Sequence, residues 1–475
     1  MRTAILLALA LIFVPEKHAT AYTLLTHEEL IDLTWDDSIV PLLLSRYPQL
    51  TPAQLEEARA YAYGGCVIQD MGYYPFGDRS FSNLTHYVRS GDFVVNLFRN
   101  ANNADELAFA VGALSHYIGD SVGHSMATNL AVPMEFPGLR RKYVPVVNYA
   151  EGEDQHVRVE FAFDIDEISH HNMAPLHYLR HVGLKVPVRQ LALAYYQTYG
   201  LSGEFAGPRH KFSVHEYQFA VRTFIPRIAF AVTVLHRHHE PPEPGTPSAR
   251  EVLSEVARVS ARDDWPRYRR KAGVETYLLA GLLFLLPKIG PLRMVAIKGP
   301  TPATDAEYMH SVALAVTALR RRLARFTPPS ARRLRASDAR LRALPVSAQL
   351  PGPSSAGPET LPRTHRPPPD KTHPLPNLDL DTGYPVKPGG YPLTDSTYAK
   401  LLHRLTRHPS RPIPPGIKSN IEAYYANPNA PITTKRHPEQ WARVQADLAI
   451  LANMPTSTAP QPYPTYSLDA AAESQ

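Results

Sequence analysis

Three potential metal ligands follow one another at intervals of four residues in the stretch Gly112–His124 of this 475-residue chain. They are His116, Asp120 and His124. Because an α-helix turns by about 100° per residue, a step of four returns each side chain to nearly the same face. A buried imidazole or carboxylate is costly unless it is hydrogen-bonded, paired or bound to a metal. The spacing therefore indicates either a hydrogen-bonded His–Asp pair in a core or a metal site.

Further residues of the same chemical types occur in the first third of the chain. Zinc takes nitrogen and oxygen ligands of this kind. A lone His-x-x-x-Asp pair is explained by hydrogen bonding, but a set of this size favours metal coordination. The set consists of His27, Asp70, His86, His116, Asp120, His124, His156 and Glu160.

Local patterns predict the elements that position these residues. Asn103 can cap a helix in which Glu106 closes a capping box before an apolar run, so the ligands from His116 onward should lie on a buried helix. Thr26 and Glu29 form a second capping-box pattern, which predicts that His27 lies in the first turn of a helix.

The remaining ligands are placed less directly. Residues 156–166 are predicted to form the second ligand-bearing helix, and Asp70 lies in a glycine-rich loop. Cys66 is the single cysteine, so no internal disulfide is possible.

The order of the ligands resembles the zinc-dependent phospholipase C family, whose fold is shared with S1/P1-type nucleases. The order is Thr-His, Asp followed by Gly, His, His-x-x-x-Asp, His and His-x-x-x-Glu. The resemblance covers roughly residues 22–200. The resemblance implies an all-α fold, namely a multi-helix phospholipase C/P1 nuclease-like domain. It also implies a cluster of up to three zinc ions that hydrolyses phosphate esters.

The resemblance further assigns ligands to each ion. One zinc would be held by Asp70, His86, His116 and Asp120. A second would be held by His124, His156 and Glu160. A third would be held by His27, a bridging Asp120, and the amine and carbonyl groups of a mature N-terminal residue, Tyr22. The resemblance also suggests Asp70 as the catalytic general base that aligns the attacking water.

One spacing departs from the bacterial phospholipases and the nucleases. In those proteins a His follows the shared Asp by six residues, where this chain has Met126, whereas His124 follows Asp120 by four. This spacing is more similar to the phospholipase domain of the glycosylphosphatidylinositol-specific phospholipase D group. This departure affects the second zinc site. It therefore bears on whether the protein is an enzyme or a zinc-stabilised protein without turnover.

The N-terminal residues have the pattern of a signal peptide. Arg2 precedes the apolar segment Ala4–Val14, which is too short to span a bilayer, and the small residues Ala19 and Ala21 suit signal peptidase. Cleavage after Ala21 would give Tyr22 a free α-amino group that can bind zinc. We expect a secreted or periplasmic protein; if cleavage occurs elsewhere, water would replace the N-terminal ligand.

Composition divides the chain into segments, since most of its 47 prolines lie beyond residue 240. The predicted segments are a signal peptide (1–21), a catalytic domain (22–240), a helical extension (241–330), an Arg/Pro-rich linker (331–375), a small C-terminal helical region (376–455) and a disordered tail (456–475). The C-terminal region lies outside the resemblance and is expected to be accessory.

The expected function is that of a secreted zinc-dependent phosphodiester hydrolase of phospholipase C/D type. The alternatives are a single-strand nuclease on the same scaffold and a zinc-stabilised binding protein without turnover. The substrate would be a phospholipid or another phosphodiester, nucleic acid is less favoured, and no obligate protein partner is evident. No Walker loop, nucleophilic serine elbow or dinucleotide-binding glycine pattern is present.

Two segments bear on contact with membranes. The basic run 320–342 could bind anionic lipid head groups or nucleic acid, although such runs are commonly solvated helix ends. The apolar segment 277–287 is too short to span a bilayer and is expected to be a core helix or, less favoured, a membrane-dipping element.

Overall fold

The computed structural model describes residues 23–74, 77–143, 145–201, 208–236, 244–287, 293, 295–327 and 374–457. Within these residues the regular secondary structure is helical and there is no strand. Two isolated β-bridges join Leu378 to Pro385 and Ile413 to Thr456. The predicted all-α fold is confirmed. The predicted signal peptide, Tyr22, nearly all of the predicted linker and most of the tail lie outside the described residues.

The helices before residue 200 are α1 (Leu24–Thr34), α2 (Val40–Arg46), α3 (Pro52–Cys66), α4 (Arg79–Tyr87), α5 (Ser90–Arg99), α6 (Ala104–Gly123), α7 (Asn129–Glu135), α8 (Pro137–Arg140), α9 (Glu153–Ser169), α10 (Leu176–Val182) and α11 (Val188–Tyr199). Shorter 3₁₀ turns lie at Ile68–Gly72 and Tyr149–Glu151, and π-helical turns at Trp35–Ile39 and His124–Thr128.

The later helices are α12 (Pro208–Phe219), α13 (Ile225–His236), α14 (Pro247–Arg262), α15 (Trp265–Tyr268), α16 (Val274–Leu285), α17 (Pro302–Phe326), α18 (Pro392–Thr406), α19 (Pro415–Tyr425) and α20 (Pro438–Asn453). A π-helical turn, Ala220–Phe224, joins α12 to α13. By length and composition the stretch Val214–Leu235 could cross a membrane, and 44% of its apolar window is buried in the fold, as in a core helix.

Helix α6 is the central element of the ligand-bearing domain and is buried along nearly its whole length. The backbone N–H of Glu106 donates to the side-chain oxygen of Asn103, which confirms the predicted N-cap. The predicted capping box does not form, because the Glu106 carboxylate accepts from the backbone N–H of Asn102 instead of Asn103. Helix α3 crosses α6 so closely that a Cβ on Gly112 would lie 2.2 Å from the carbonyl oxygen of Ala62. Glycine is required there because the two backbones are in contact.

The start of α1 differs from the prediction. Its N-cap is Thr23, and Thr26 lies inside the helix, so the predicted capping box of Thr26 and Glu29 is wrong. The Thr26 hydroxyl instead donates to Oδ1 of Asp164 on α9, at 2.7 Å. A buried carboxylate from a distant part of the chain therefore recruits the hydroxyl, and His27 still lies in the first turn of α1.

The C-terminal helices pack on the ligand-bearing domain. Helix α18 contacts α4 and α20. Residues 375–384 run along α4, α5 and α6, where the Ser90 hydroxyl donates to the carbonyl of Leu378 at 2.5 Å. The Tyr117 hydroxyl donates to the carbonyl of Pro376 at 2.7 Å. This part of the chain is therefore integral to the packing around the site.

Candidate metal centre

A first group of ligand-type side chains converges on α6. One potential ligand atom from each member lies within 4.8 Å of the others, and every member is at most 1% exposed. The group consists of Asp70 in the turn Ile68–Gly72, His86 on α4, and His116 and Asp120 on α6.

Backbone carbonyls fix the orientation of both histidines in this group. The Nδ1 atom of His86 donates to the carbonyl of Ser82 at 2.8 Å, and that of His116 donates to the carbonyl of Cys66 at 3.0 Å. A carbonyl oxygen can only accept, so Nδ1 carries the proton in each ring. The Nε2 atoms therefore face the carboxylates, and metal-binding histidines are commonly held in this way.

Asp120 lies between two sets of imidazoles. Its Oδ2 atom is 3.1 Å from Nε2 of His86 and 3.0 Å from Nε2 of His116. Its Oδ1 atom is 3.2 Å from Nε2 of His27, whose ring stacks on that of His116 with centroids 4.3 Å apart. One carboxylate thus presents an oxygen to each side, which is the arrangement a bridging ligand needs. Tyr22 lies outside the described residues.

A second group lies one turn further along and consists of His124, His156 and Glu160, again within 4.8 Å of one another. The backbone N–H of His124 donates to the carbonyl of Asp120, so four-residue spacing places it one helical turn beyond. Nε2 of His156 donates to the carbonyl of Val147 at 2.7 Å, which leaves Nδ1 at 3.7 Å from Oε1 of Glu160. Met126 instead packs against the hydrophobic core.

Burial and mutual charge set the protonation of these groups. Burial lowers the pKa of His156 to about 4 and the pKa of His124 well below its ordinary value, so both rings are neutral at pH 7. Burial raises the pKa of Asp70. For Asp120, burial opposes ionisation, but the neighbouring histidines, His116 above all, hold its pKa well below the ordinary value. Neutral imidazoles and carboxylates are the forms that bind zinc.

The distances between ligand atoms fit zinc. Two ligands bound to one tetrahedral zinc at about 2.0–2.2 Å are roughly 3.3–3.6 Å apart. The His–carboxylate separations within the two groups lie between 3.0 and 3.8 Å. Both ring nitrogens of His124 and Nδ1 of His156 form no hydrogen bond within the described residues. A cation would supply Nδ1 of His156 and one of the two ring nitrogens of His124 with a partner.

One acidic residue at this site was missed by sequence reasoning. Asp381 is fully buried, and its Oδ1 atom lies 3.5 Å from Nε2 of His124. It follows Glu160 by more than 200 residues and lies outside the resemblance, so no helical spacing points to it. The one local signal is the pair of acids Asp379 and Asp381 ahead of Gly383, which is typical of a turn.

The histidines between residues 170 and 181 do not join the two groups. His171 and His177 line a separate cavity of about 610 Å³, which also has Arg180, Arg227 and Tyr268 in its wall. His170 packs near Asp166, with Nδ1 3.7 Å from its carboxylate, and His181 pairs with Glu56 at the surface. The cavity is therefore distinct from the candidate metal centre.

One comparison with known protein families covers the part of the chain that carries both ligand groups. The family model described as zinc dependent phospholipase C matches residues 26–201, a range that contains both ligand groups and His27. No curated protein and no solved structure shows a significant match to the chain. Residues 26–201 are therefore similar to a zinc-dependent phospholipase C domain.

Proposed function

We propose that this protein is a secreted zinc-dependent hydrolase that cleaves the phosphodiester bond of phospholipids. The observation that carries the proposal is the convergence of two buried His and carboxylate groups on α6, within the family domain. Zinc bound there would polarise phosphoryl oxygens and lower the pKa of a bound water. The donors present suit up to three ions.

The chain's own residues have separate tasks in this proposal. Asp120 holds the two sides of the cluster together through its two oxygens. Asp70, whose Oδ1 atom is 3.4 Å from Nε2 of His86, is the proposed general base that orients the attacking water. His124 and His156 bind as neutral imidazoles. The low exposure of the whole group keeps bulk water away from the charges.

The surface of α16 supports a lipid substrate. Leu279 and Leu283 are buried, whereas the opposite face exposes apolar side chains, including Val274 at 76% and Leu285 at 79%. The basic residues Arg269, Arg270 and Lys271 precede this helix, separated from it by Ala272 and Gly273. An apolar face beside cationic side chains is typical of an element that inserts into the interface of an anionic membrane.

The two described tyrosines that follow Asp70 speak against a nuclease. Single-strand nucleases stack bases on accessible aromatic rings. Tyr73 is 2% exposed and Tyr74 is 8% exposed, so neither ring presents a face to a nucleotide.

The two substrates can be compared directly. Zinc-loaded protein incubated with phosphatidylcholine vesicles is expected to release phosphocholine and to leave single-stranded DNA intact. Asp120→Asn serves as the inactive control. Cleavage of DNA without lipid turnover would support the nuclease, and turnover of neither substrate by a zinc-loaded protein would support the binding protein.

We further propose that export and activation are coupled through Tyr22. Helix α1 begins at Leu24 after its N-cap Thr23, so position 22 is next in sequence to the cap of the helix that places His27 beside Asp120. An amide nitrogen is a poor zinc ligand, whereas a free amine binds. A form that begins at Tyr22 should bind one more zinc than a form with one added residue. Equal zinc content and equal turnover would contradict the N-terminal ligand.

A further inference from the structure

Residues 375–384 lie directly on the helices that carry the metal ligands. The backbone N–H of Leu380 donates to the carbonyl of His86 at 3.2 Å, so the segment bonds to the backbone of a ligand residue. The backbone N–H of Leu378 donates to the hydroxyl of Ser90 at 3.0 Å. The side-chain amide of Asn129 donates to the carbonyl of Asp381 at 2.8 Å. These contacts bind the segment to α4, α5 and α7.

A tight turn presses this segment against α6. Gly383 has φ +72°, and its backbone N–H donates to the carbonyl of Asp379 at 2.8 Å. A Cβ at Gly383 would lie 2.6 Å from the carbonyl oxygen of Ser121 on α6. The left-handed conformation and the close approach both favour glycine, and together they deliver Asp381 to the end of α6.

The side chain of Asp381 is bonded on one oxygen only. Its Oδ2 atom accepts hydrogen bonds from the hydroxyls of Tyr87 at 2.9 Å and Tyr391 at 2.7 Å. Its Oδ1 atom accepts none within the described residues and faces His124, neither of whose ring nitrogens forms a hydrogen bond there. A fully buried carboxylate oxygen and a fully buried imidazole thus face each other without another partner.

We propose that Asp381 is a metal ligand at the centre formed by His124, His156 and Glu160, supplied by a segment outside the family domain. The inference rests on the proposed zinc centre. The separation of 3.5 Å between Asp381 Oδ1 and His124 Nε2 is long for a hydrogen bond but matches two ligands of one zinc.

This ligand changes the character of the second centre. Three protein ligands leave one position of a tetrahedral zinc open, whereas four give the composition of a closed site. Asp381 approaches from the His124 side, and the two tyrosine hydroxyls on Oδ2 fix the direction of Oδ1. The C-terminal segment is therefore part of the metal centre rather than an attachment to it.

Metal binding to the full chain tests the proposal without reference to turnover. In Asp381→Asn the amide oxygen can still accept from Tyr87 and Tyr391, but the charge is lost. We expect zinc affinity at this centre, measured by competition with a chromophoric chelator, to fall at least tenfold, since loss of a residue that only hydrogen-bonds to a ligand already costs ~10–100-fold.

Asp379→Asn is the matched control. Asp379 is buried in the same turn, but its Oδ2 atom accepts from the hydroxyl of Thr394 at 2.5 Å and does not face the ligand groups. This variant should retain the zinc affinity of the unaltered chain. An Asp381→Asn variant with unchanged affinity, in a protein that loads the His124 centre, would overturn the ligand role of Asp381 alone.

A variant that gains a spectroscopic signal distinguishes loss of a metal ligand from loss of the fold. In cobalt-loaded Asp381→Cys, the introduced thiolate should produce a sulfur-to-cobalt charge-transfer band, because only direct coordination gives this band. The sole natural cysteine, Cys66, is buried and donates to the carbonyl of Tyr63. Absence of the band in a folded, cobalt-loaded variant would contradict the proposal. If His124→Ala loses no metal, the proposed zinc centre itself fails.

Discussion

At the scale of single residues, the candidate centre depends on hydrogen bonds that turn lone pairs inward. His86, His116 and His156 each donate one ring N–H to a backbone carbonyl, and the other ring nitrogen faces a carboxylate. These carbonyls belong to Ser82, Cys66 and Val147. Ser82 lies one helical turn before His86, but Cys66 and Val147 lie on other segments from the histidines they orient, and no spacing rule identifies them. The ligand types could be predicted from sequence, but their orientation could not.

The bridging role of Asp120 leads to a prediction about metal count. Asp120→Asn should remove two ions together, because an amide cannot serve two metals as a carboxylate does. His124→Ala should remove one ion only, since His124 belongs to one group. Elemental analysis of the purified variants measures the difference. Equal metal loss in the two variants would show that Asp120 does not bridge.

Asp164 predicts a pH dependence of stability that is separate from the metal ligands. Burial raises its pKa from 3.8 to about 6, although Thr26 and the backbone N–H of Leu25 donate to it. Because the folded state holds this proton more tightly, the stabilisation is present below pH 4 and is lost as pH rises through 6.

Asp164→Asn removes this titration. The difference in unfolding free energy, unaltered chain minus variant, should fall by about 2 kcal/mol between pH 4 and pH 7. Urea unfolding of both proteins at several pH values measures it, and zinc effects common to both cancel in the difference. Parallel pH profiles for the two proteins would contradict the assignment.

At the scale of elements, the contact of α3 with α6 positions the first ligand group. The carbonyl of Cys66 at the end of α3 orients His116 on α6. The central helix and its Asn103 cap were predictable because both are local patterns. The cap assigned to Thr26 was wrong because Asp164, 138 residues away, takes its hydroxyl. Local rules fail where a buried group from elsewhere competes for the same atom.

Two glycines on helices test the importance of this crossing. Gly112→Ala would place a Cβ 2.2 Å from a backbone oxygen of α3 and should destabilise the protein by about 1–3 kcal/mol or more. Gly281 lies within α16 with nothing near its missing Cβ, so Gly281→Ala should stabilise by about 0.5–1 kcal/mol. Chemical denaturation gives both values. Effects of the same sign would contradict the close crossing.

At the scale of the whole molecule, the C-terminal region differs from the sequence-based interpretation. Its composition suggests an accessory part, and truncation after residue 330 would then spare zinc content and turnover of a soluble phosphodiester. The structure instead places Leu380 on the backbone of His86 and Asp381 beside His124. Sequence could not show this because 220 residues separate Asp381 from Glu160 and the intervening chain has no periodic pattern linking them.

The structure therefore predicts the opposite outcome for a protein truncated after residue 330. Truncation after residue 330 should lower the zinc content and abolish turnover of a soluble phosphodiester, because it uncovers the buried groups around α4 and α6. Elemental analysis and a chromogenic phosphodiester assay measure the two effects. A truncated protein with full zinc content and full activity would restore the accessory interpretation.

The exposed face of α16 predicts how the whole molecule meets its substrate. Leu278→Ser combined with Leu285→Ser should reduce turnover of phosphatidylcholine vesicles severalfold and leave turnover of a soluble phosphodiester unchanged, since these side chains are 48% and 79% exposed. Ile450→Ser is the matched control, because Ile450 is an exposed apolar residue of α20. Equal losses on both substrates would argue against a membrane-contacting role.

The central claim is that two buried ligand groups on α6 hold zinc, and anomalous diffraction at the zinc absorption edge tests it most directly. Crystals of protein purified with zinc should show one anomalous peak among Asp70, His86, His116 and Asp120. A second peak should lie among His124, His156 and Glu160. The absence of anomalous density at both positions would contradict the account.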